Sequence, residues 1–338
     1  MNYENEIISS ILGNMPVTDK HLSKFFESDS EVIEIEGGKF LFSIDTFSDE
    51  DYFNTNDPYL LGKNLAIATI TDIFASGGKL LFFSSSLTIS GKWSKEYISE
   101  LSRGLGDTIK SCGAFFAGGD LGVSDNWSFT GVAFGKSSKE ISRRGCKPGD
   151  RIYLTGEIGS GNFQAAFSVI NDNNLKKEPS RHELFLRPKE AEMISEFANT
   201  CIDTSDGLIK SLQIISEINE TGFEVSNIPY YSEAVNFTQL MGLNKELLLT
   251  GECGEYELLF TIDSSKADEF EKIISEDSLN IKNIGTVCMN DTKKVFDENY
   301  FIDFSEYNLH ARSYKNISEY VSSMISFIKI NKHYFIGV

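Results

Sequence analysis

Residues 62–78 read GKNLAIATITDIFASGG, a run so apolar that a helix built from it has to be buried nearly all round. Within it stands one carboxylate, Asp72. Burying an isolated carboxylate is costly, so a partner or a metal ion is expected beside it.

A second acidic site has a different context. Residues 201–212 read CIDTSDGLIKSL, and Asp203, Ser205, Asp206 and Gly207 fall where an apolar strand end meets an amphipathic helix. Hard oxygen ligands beside the free N–H groups of a first helical turn suit Mg²⁺ and phosphate. The alternative is a plain cap, with Ser205 or Asp206 at the N-cap and Gly207 in the turn. Asp45 ends the strand-like run KFLFSIDTF, and Asp120 follows the two glycines of AGGDLG, each open to the same two readings. Four aspartates in such contexts suggest one shared cation cluster.

Composition bounds the partners. A length of 338 residues suits two domains of ordinary size. With 50 acidic against 31 basic residues, a net charge of −19, the chain has no cationic surplus to neutralise nucleic acid and no attraction for an anionic membrane. Five cysteines without paired spacing argue against a disulfide framework or a zinc site and for a reducing compartment. The start, MNYENEIISS, lacks the regions of a signal peptide, and no apolar run approaches the roughly 18 residues of a membrane helix. A cytoplasmic location is expected.

Strand-like runs fall at 39–44, 129–135, 152–155 and 258–262. A helix is predicted from Ser94 to about Ser111, with Ser94 as cap, Ile98, Leu101, Leu105 and Ile109 on its apolar face and Gly113 at its end. A second helix follows Asp206 on the stripe Leu208, Leu212, Ile215 and ends at Thr221-Gly222. A third places Ile317, Tyr320, Val321, Met324 and Ile328 on one face near the C-terminus. The boundary between domains is expected near 136–148, KSSKEISRRGCKP, where Arg143 and Arg144 serve either a linker or a phosphate lid. Neither a G-x-x-x-x-G-K-[ST] loop nor a G-x-G-x-x-G fingerprint occurs, and GEIGSGNFQ at 156–164 reads as a strand-to-helix turn.

The order IDTF, GKNLAIATITDIFASGG, GGD, RRGCKPGD, IYLTG, IDTSDGL and GEYELLFT resembles the thiamine-monophosphate kinases of the aminoimidazole ribonucleotide synthetase (PurM-like) superfamily, from about residue 28 to about residue 310. The resemblance implies an α+β fold of two domains. Residues 1–140 would bind ATP and metal and close a β-barrel with those of a second copy, making a homodimer. Residues 141–338 would form a C-terminal α/β sandwich with an extra helix. Carried over position by position, it implies metal ligation by Asp29, Asp45, Asp72, Asp120 and Asp203, the last four also catalytic. It implies nucleotide contacts from Lys63, Gly119, Arg143, Ser205 and Asp206, and an acceptor site at Tyr52, Glu252, Glu255 and Phe304.

The acceptor half departs from the family pattern. Ser28-Asp29-Ser30 stands where the family has Gly-Asp-Asp, so one carboxylate is a hydroxyl. Tyr52 stands for a histidine, and GECGEYEL carries one residue more than the family's Gly-Gly-Glu-Asp-Tyr-Glu-Leu. The expected activity is phosphoryl transfer from ATP, with Mg²⁺, to a small phosphorylated acceptor, first among them thiamine monophosphate. A paralogue acting on another acceptor and a nucleotide binder without turnover stay open.

Overall fold

The computed structural model describes residues 3–171, 182–289 and 292–335. The first part of the chain contains α1 (Tyr3–Leu12), β1 (Glu31–Ile35), β2 (Gly38–Ser48), α2 (Pro58–Ala75), β3 (Lys79–Ser90), α3 (Lys95–Ser111), β4 (Phe115–Ser124) and β5 (Ser128–Ser137). Its five strands form one sheet in the order β1-β2-β5-β3-β4, with only β3 and β4 parallel.

Helix α2 is the predicted apolar segment. Asp57 caps it by accepting from the Leu60 N–H at 3.1 Å, Pro58 opens its first turn, and 14 of its 18 residues are buried, which leaves Asp72 as one of the few that reach an opening. It lies against the inner face of the sheet, where a Cβ on Gly131 of β5 would come within 2.2 Å of the Thr69 hydroxyl. On its other side it crosses α3 so closely that a Cβ on Gly62 would meet the Leu101 carbonyl at 2.0 Å, and one on Gly104 the Tyr59 carbonyl at 2.0 Å. Only glycine fits at that crossing. Helix α3 has the predicted Ser94 cap and ends at Ser111, just before Gly113 in the left-handed region.

The second part contains β6 (Arg151–Thr155), α4 (Ser160–Asn171), α5 (Pro188–Phe197), β7 (Thr200–Asp203), α6 (Leu208–Asn219), β8 (Thr221–Val225), α7 (Ser232–Leu240), α8 (Leu247–Thr250), β9 (Leu258–Ile262) and α9 (Ser264–Glu276). It closes with β10 (Ile281–Met289), β11 (Lys293–Phe296), β12 (Tyr300–Asp303), α10 (Ile317–Ile330) and β13 (Lys332–Tyr334). Eight strands form a mixed sheet, β13-β12-β11-β8-β10-β6-β9-β7. Helix α6 stops short of the expected end, because Glu220 turns left-handed (φ 54°) and Thr221 opens β8. Helix α10 buries Tyr320, Met324 and Ile328, and β13 extends the sheet at β12.

One apolar core joins the two parts: Leu61, Leu65 and Ile70 of α2 belong to the same cluster as Tyr153, Leu258 and Phe260 of the second sheet and Phe270 of α9. Helix α2 also touches β7 directly. The first sheet is open, with β1 and β4 as its edges, and no barrel closes within the described chain. Its outer face, away from α2, leaves Ile44, Phe82 and Phe115 exposed.

Candidate active site

Packing α2 between the first sheet and β7 brings carboxylates from four segments together. Asp72 comes from α2 and Asp203 from the last position of β7. Asp29 comes from a loop fixed to the end of α2, where the Ser76 hydroxyl accepts from the Ser30 N–H at 2.9 Å and lies 3.3 Å from the Ser28 hydroxyl. One carboxylate oxygen from each of Asp29, Asp72 and Asp203 lies within 4.8 Å of the others. Asp45, on the α2-facing side of β2, neighbours Asp72, and the Ser43 hydroxyl donates to Asp72 at 2.6 Å.

These groups repel one another. Burial, and then the charges of Asp45, Asp203 and Asp29, push the Asp72 carboxyl well above its ordinary range. Burial and then Asp29 raise Asp203, and Asp45 is raised chiefly by burial. Arg143 is the cation that meets the group: it donates to Asp29 at 2.8 Å and to the Phe26 carbonyl at 3.2 Å. Even so, Oδ2 of Asp29 and Oδ2 of Asp203 are buried without a partner. An all-oxygen donor set with two unpartnered carboxylate oxygens fits a hard divalent cation such as Mg²⁺.

The turn after Asp203 is shaped by its neighbours. Gly207, with φ 84°, is the N-cap of α6, and a Cβ there would meet the Gly251 carbonyl at 2.4 Å. Ser205 is therefore not the cap; its hydroxyl donates to Asp203 at 2.8 Å. Asp206 is exposed and pairs with Lys210 at 2.8 Å. No side chain caps α6, which leaves its first N–H groups available to an anion.

Several expected site residues lie elsewhere. Asp45, Gly131, Ser85 and Gly119 form one row across the sheet, and Thr46, Thr130, Ser86 and Asp120 form the next. Adjacent rows point to opposite faces, so Asp120 stands on the outer face, away from Asp45 and Asp72. Gly119 serves close strand approach, since a Cβ there would meet the Ser85 carbonyl at 2.2 Å. Lys63 precedes Asp72 by nine residues, about two and a half turns or roughly 13 Å along α2, hence on the opposite side. It pairs with Glu183 at 2.5 Å.

The expected acceptor residues do not form one surface. Phe304 is fully buried in the second core against Tyr307 and Phe327. Glu255 is an internal anchor, accepting from the Gly159 and Gly161 N–H groups at 2.8 Å each at the start of α4. Burial pushes its carboxyl up to about 8. That contact explains the glycine-rich GEIGSGNFQ turn. Glu252 accepts from the Ala311 N–H at 3.0 Å and lies 3.1 Å from His310. The Tyr52 hydroxyl donates to the Gly254 carbonyl, so its one proton is already engaged. Arg144 pairs with Glu27 at 2.8 Å, and with Arg143 on Asp29 the two arginines tie the 138–150 connection to the 27–29 loop.

Three side chains of this region escaped the sequence reading. Ser43 could have been found by period-two alternation with Asp45 on β2. Lys210 sits four residues after Asp206, a spacing that signals a helical ion pair. His182, whose ring lies 5.4 Å from that of Tyr52 and whose Nε2 is buried without a partner, carries no sequence signal.

Sequence comparison agrees with this architecture. The N-terminal domain of AIR synthase related proteins matches residues 27–137, and the C-terminal domain of the same family matches residues 147–298. The chain belongs to the AIR synthase related family. Within it, this family member is 27% identical over 327 residues to a thiamine-monophosphate kinase of Methanocaldococcus jannaschii, across 90% of this chain and 97% of that one. A thiamine-monophosphate kinase of Archaeoglobus fulgidus is 28% identical over 247 residues, covering 70% and 78%. Among solved structures, AaThiL complexed with AMPPCP and TMP shares the fold with a TM-score of 0.72 at 18% identity, over 87% of this chain and 95% of that chain.

Proposed function

We propose that this chain transfers the γ-phosphoryl group of ATP to thiamine monophosphate, giving thiamine diphosphate and ADP. The observation that carries the reading is the convergence of Asp29, Asp45, Asp72 and Asp203 from four segments on one place beside the uncapped start of α6. Asp29, Asp72 and Asp203, with Asp45 behind them, would hold Mg²⁺. Bound there, the ion neutralises charge on the transferring phosphoryl oxygens.

The chain's own part is positioning. The α6 N–H groups and the Ser205 hydroxyl offer donors to phosphate, and Arg143 offers a planar fork. An oxygen of the acceptor phosphate attacks Pγ in line as the bond from Pγ to the bridging oxygen breaks, and ADP leaves. The acceptor phosphate is already anionic at neutral pH, so no general base is required. The exposed Ile44, Phe82 and Phe115 on the outer sheet face support a homodimer closed through that face. The five free cysteines support a reducing, cytoplasmic setting.

A second acceptor is favoured by one observation, the engagement of the Tyr52 hydroxyl with Gly254 where the family pattern has a histidine. The deciding assay measures thiamine diphosphate formed from ATP, Mg²⁺ and thiamine monophosphate, beside a panel of other small phosphates. Product from thiamine monophosphate is the expected result. ATP consumed only with another acceptor would replace it.

A further inference from the structure

The ion pair between Arg143 and Asp29 is buried: the two side chains are 16% and 2% exposed. It does not satisfy either partner, since Nε of Arg143 and Oδ2 of Asp29 remain without a hydrogen bond, as does the buried Ser30 hydroxyl beside them. The pair sits on the edge of a group of four carboxylates with a single guanidinium among them.

We propose that Arg143 occupies the cation position of the nucleotide-free site and competes with the divalent ion for Asp29. A divalent ion entering the nucleotide-free site has to share Asp29 with a buried guanidinium that already draws on its charge and to rest beside that second positive charge, both unfavourable. The triphosphate relieves this by offering Arg143 a bidentate acceptor, which frees Asp29. Metal and nucleotide then assist each other through one side chain, and the coupling is reciprocal. This inference rests on the Mg²⁺ and ATP reading of the site.

The test is Mn²⁺ titration of the full chain, followed by the electron paramagnetic resonance signal of free Mn²⁺, in the absence of nucleotide. Arg143→Gln and Arg143→Met remove the charge and are expected to bind Mn²⁺ on the order of tenfold tighter than the wild type, within the range of such couplings. Arg143→Lys keeps the charge and is expected to stay within about threefold. With AMPPCP present, and after correction for Mn²⁺ held by the free analogue, the advantage of the two neutral variants is expected to vanish. Equal or weaker Mn²⁺ binding by both neutral variants overturns the proposal. Should both be unfolded without metal, excess Mn²⁺ is expected to restore a cooperative melt, and failure to do so overturns it equally. A wild-type chain that binds neither Mn²⁺ nor AMPPCP defeats the underlying functional reading instead.

Discussion

The carboxylate cluster proposed to hold metal and the side proposed for the acceptor are built differently. Asp29, Asp72 and Asp203 converge with carboxylate oxygens left unpartnered, whereas Glu255, Glu252 and Tyr52 have their polar atoms engaged by the chain and Phe304 is in a core. Unsatisfied buried oxygens on carboxylates that converge mark a place prepared for something else to bind. Satisfied ones mark structure.

The largest effect that sharpens this contrast is structural. Phe304→Ala should cost about 3–5 kcal/mol of stability, as for other large aromatic truncations, while the folded fraction keeps its KM for thiamine monophosphate. Chemical denaturation with parallel kinetics checks it. A raised KM at unchanged stability would return Phe304 to the acceptor site.

On the other side, Asp72→Asn and Asp203→Asn should each lower kcat by about a hundredfold or more, roughly 2.7 kcal/mol of transition-state stabilisation. Their melting temperatures should hold or rise, because each removes repulsion. Near-normal turnover in both would leave the carboxylates without a part in the reaction.

His182 lies next to Tyr52 and is held neutral. Burial lowers its pKa from 6.5 to about 4. Between these values the unfolded chain binds a proton at this ring that the folded chain does not, so the ring's own contribution to stability rises with pH through the window and is lost as pH falls from 6.5 towards 4, opposite in sign to that of the raised carboxyls Asp45, Asp203 and Glu255. The loss should approach 1.4 kcal/mol per pH unit, about 1.6 kcal/mol between pH 6.5 and 5. His182→Gln should remove that contribution, read as the difference between wild-type and variant stabilities from denaturant melts at several pH values. An unchanged slope would mean that the ring is solvated.

Tyr52→Phe has the smallest expected effect. It strips one donor from the Gly254 carbonyl, worth about 1 kcal/mol of stability, and should leave the KM for thiamine monophosphate within about twofold. A tenfold rise in KM would show that the hydroxyl serves the acceptor and that the acceptor side is closer to the metal side in design.

Much of this contrast was hidden in the sequence. The apolar surroundings of Asp72 made its burial and its need for a partner legible, and the strand end at Cys201-Ile202 placed Asp203 correctly. The same kind of local context surrounds Asp120, yet a row offset of one residue on β4 sends it to the other face. Lys63 shares a helix with Asp72, and the helical period alone separates them. For Glu255, nothing in GECGEYEL reveals that two distant N–H groups of the GEIGSGN turn would claim its carboxylate.

Local chemistry by itself determined the elements that depend on neighbours in sequence: the all-round apolar α2 capped by Asp57, the α3 stripe with its Ser94 cap, and β7 ending in Asp203, whereas β2 runs past the expected end at Asp45 to Ser48 because its pairing with β5 continues. Periodicity and capping act within a turn or two, so the sequence carries them directly. Tertiary structure alone decided which carboxylates meet, that Arg143 lies on Asp29, and that Phe304 fills a core. Those outcomes depend on register between strands and on the packing of α2 against β7, contacts between residues from tens to more than a hundred positions apart whose energies no local pattern records.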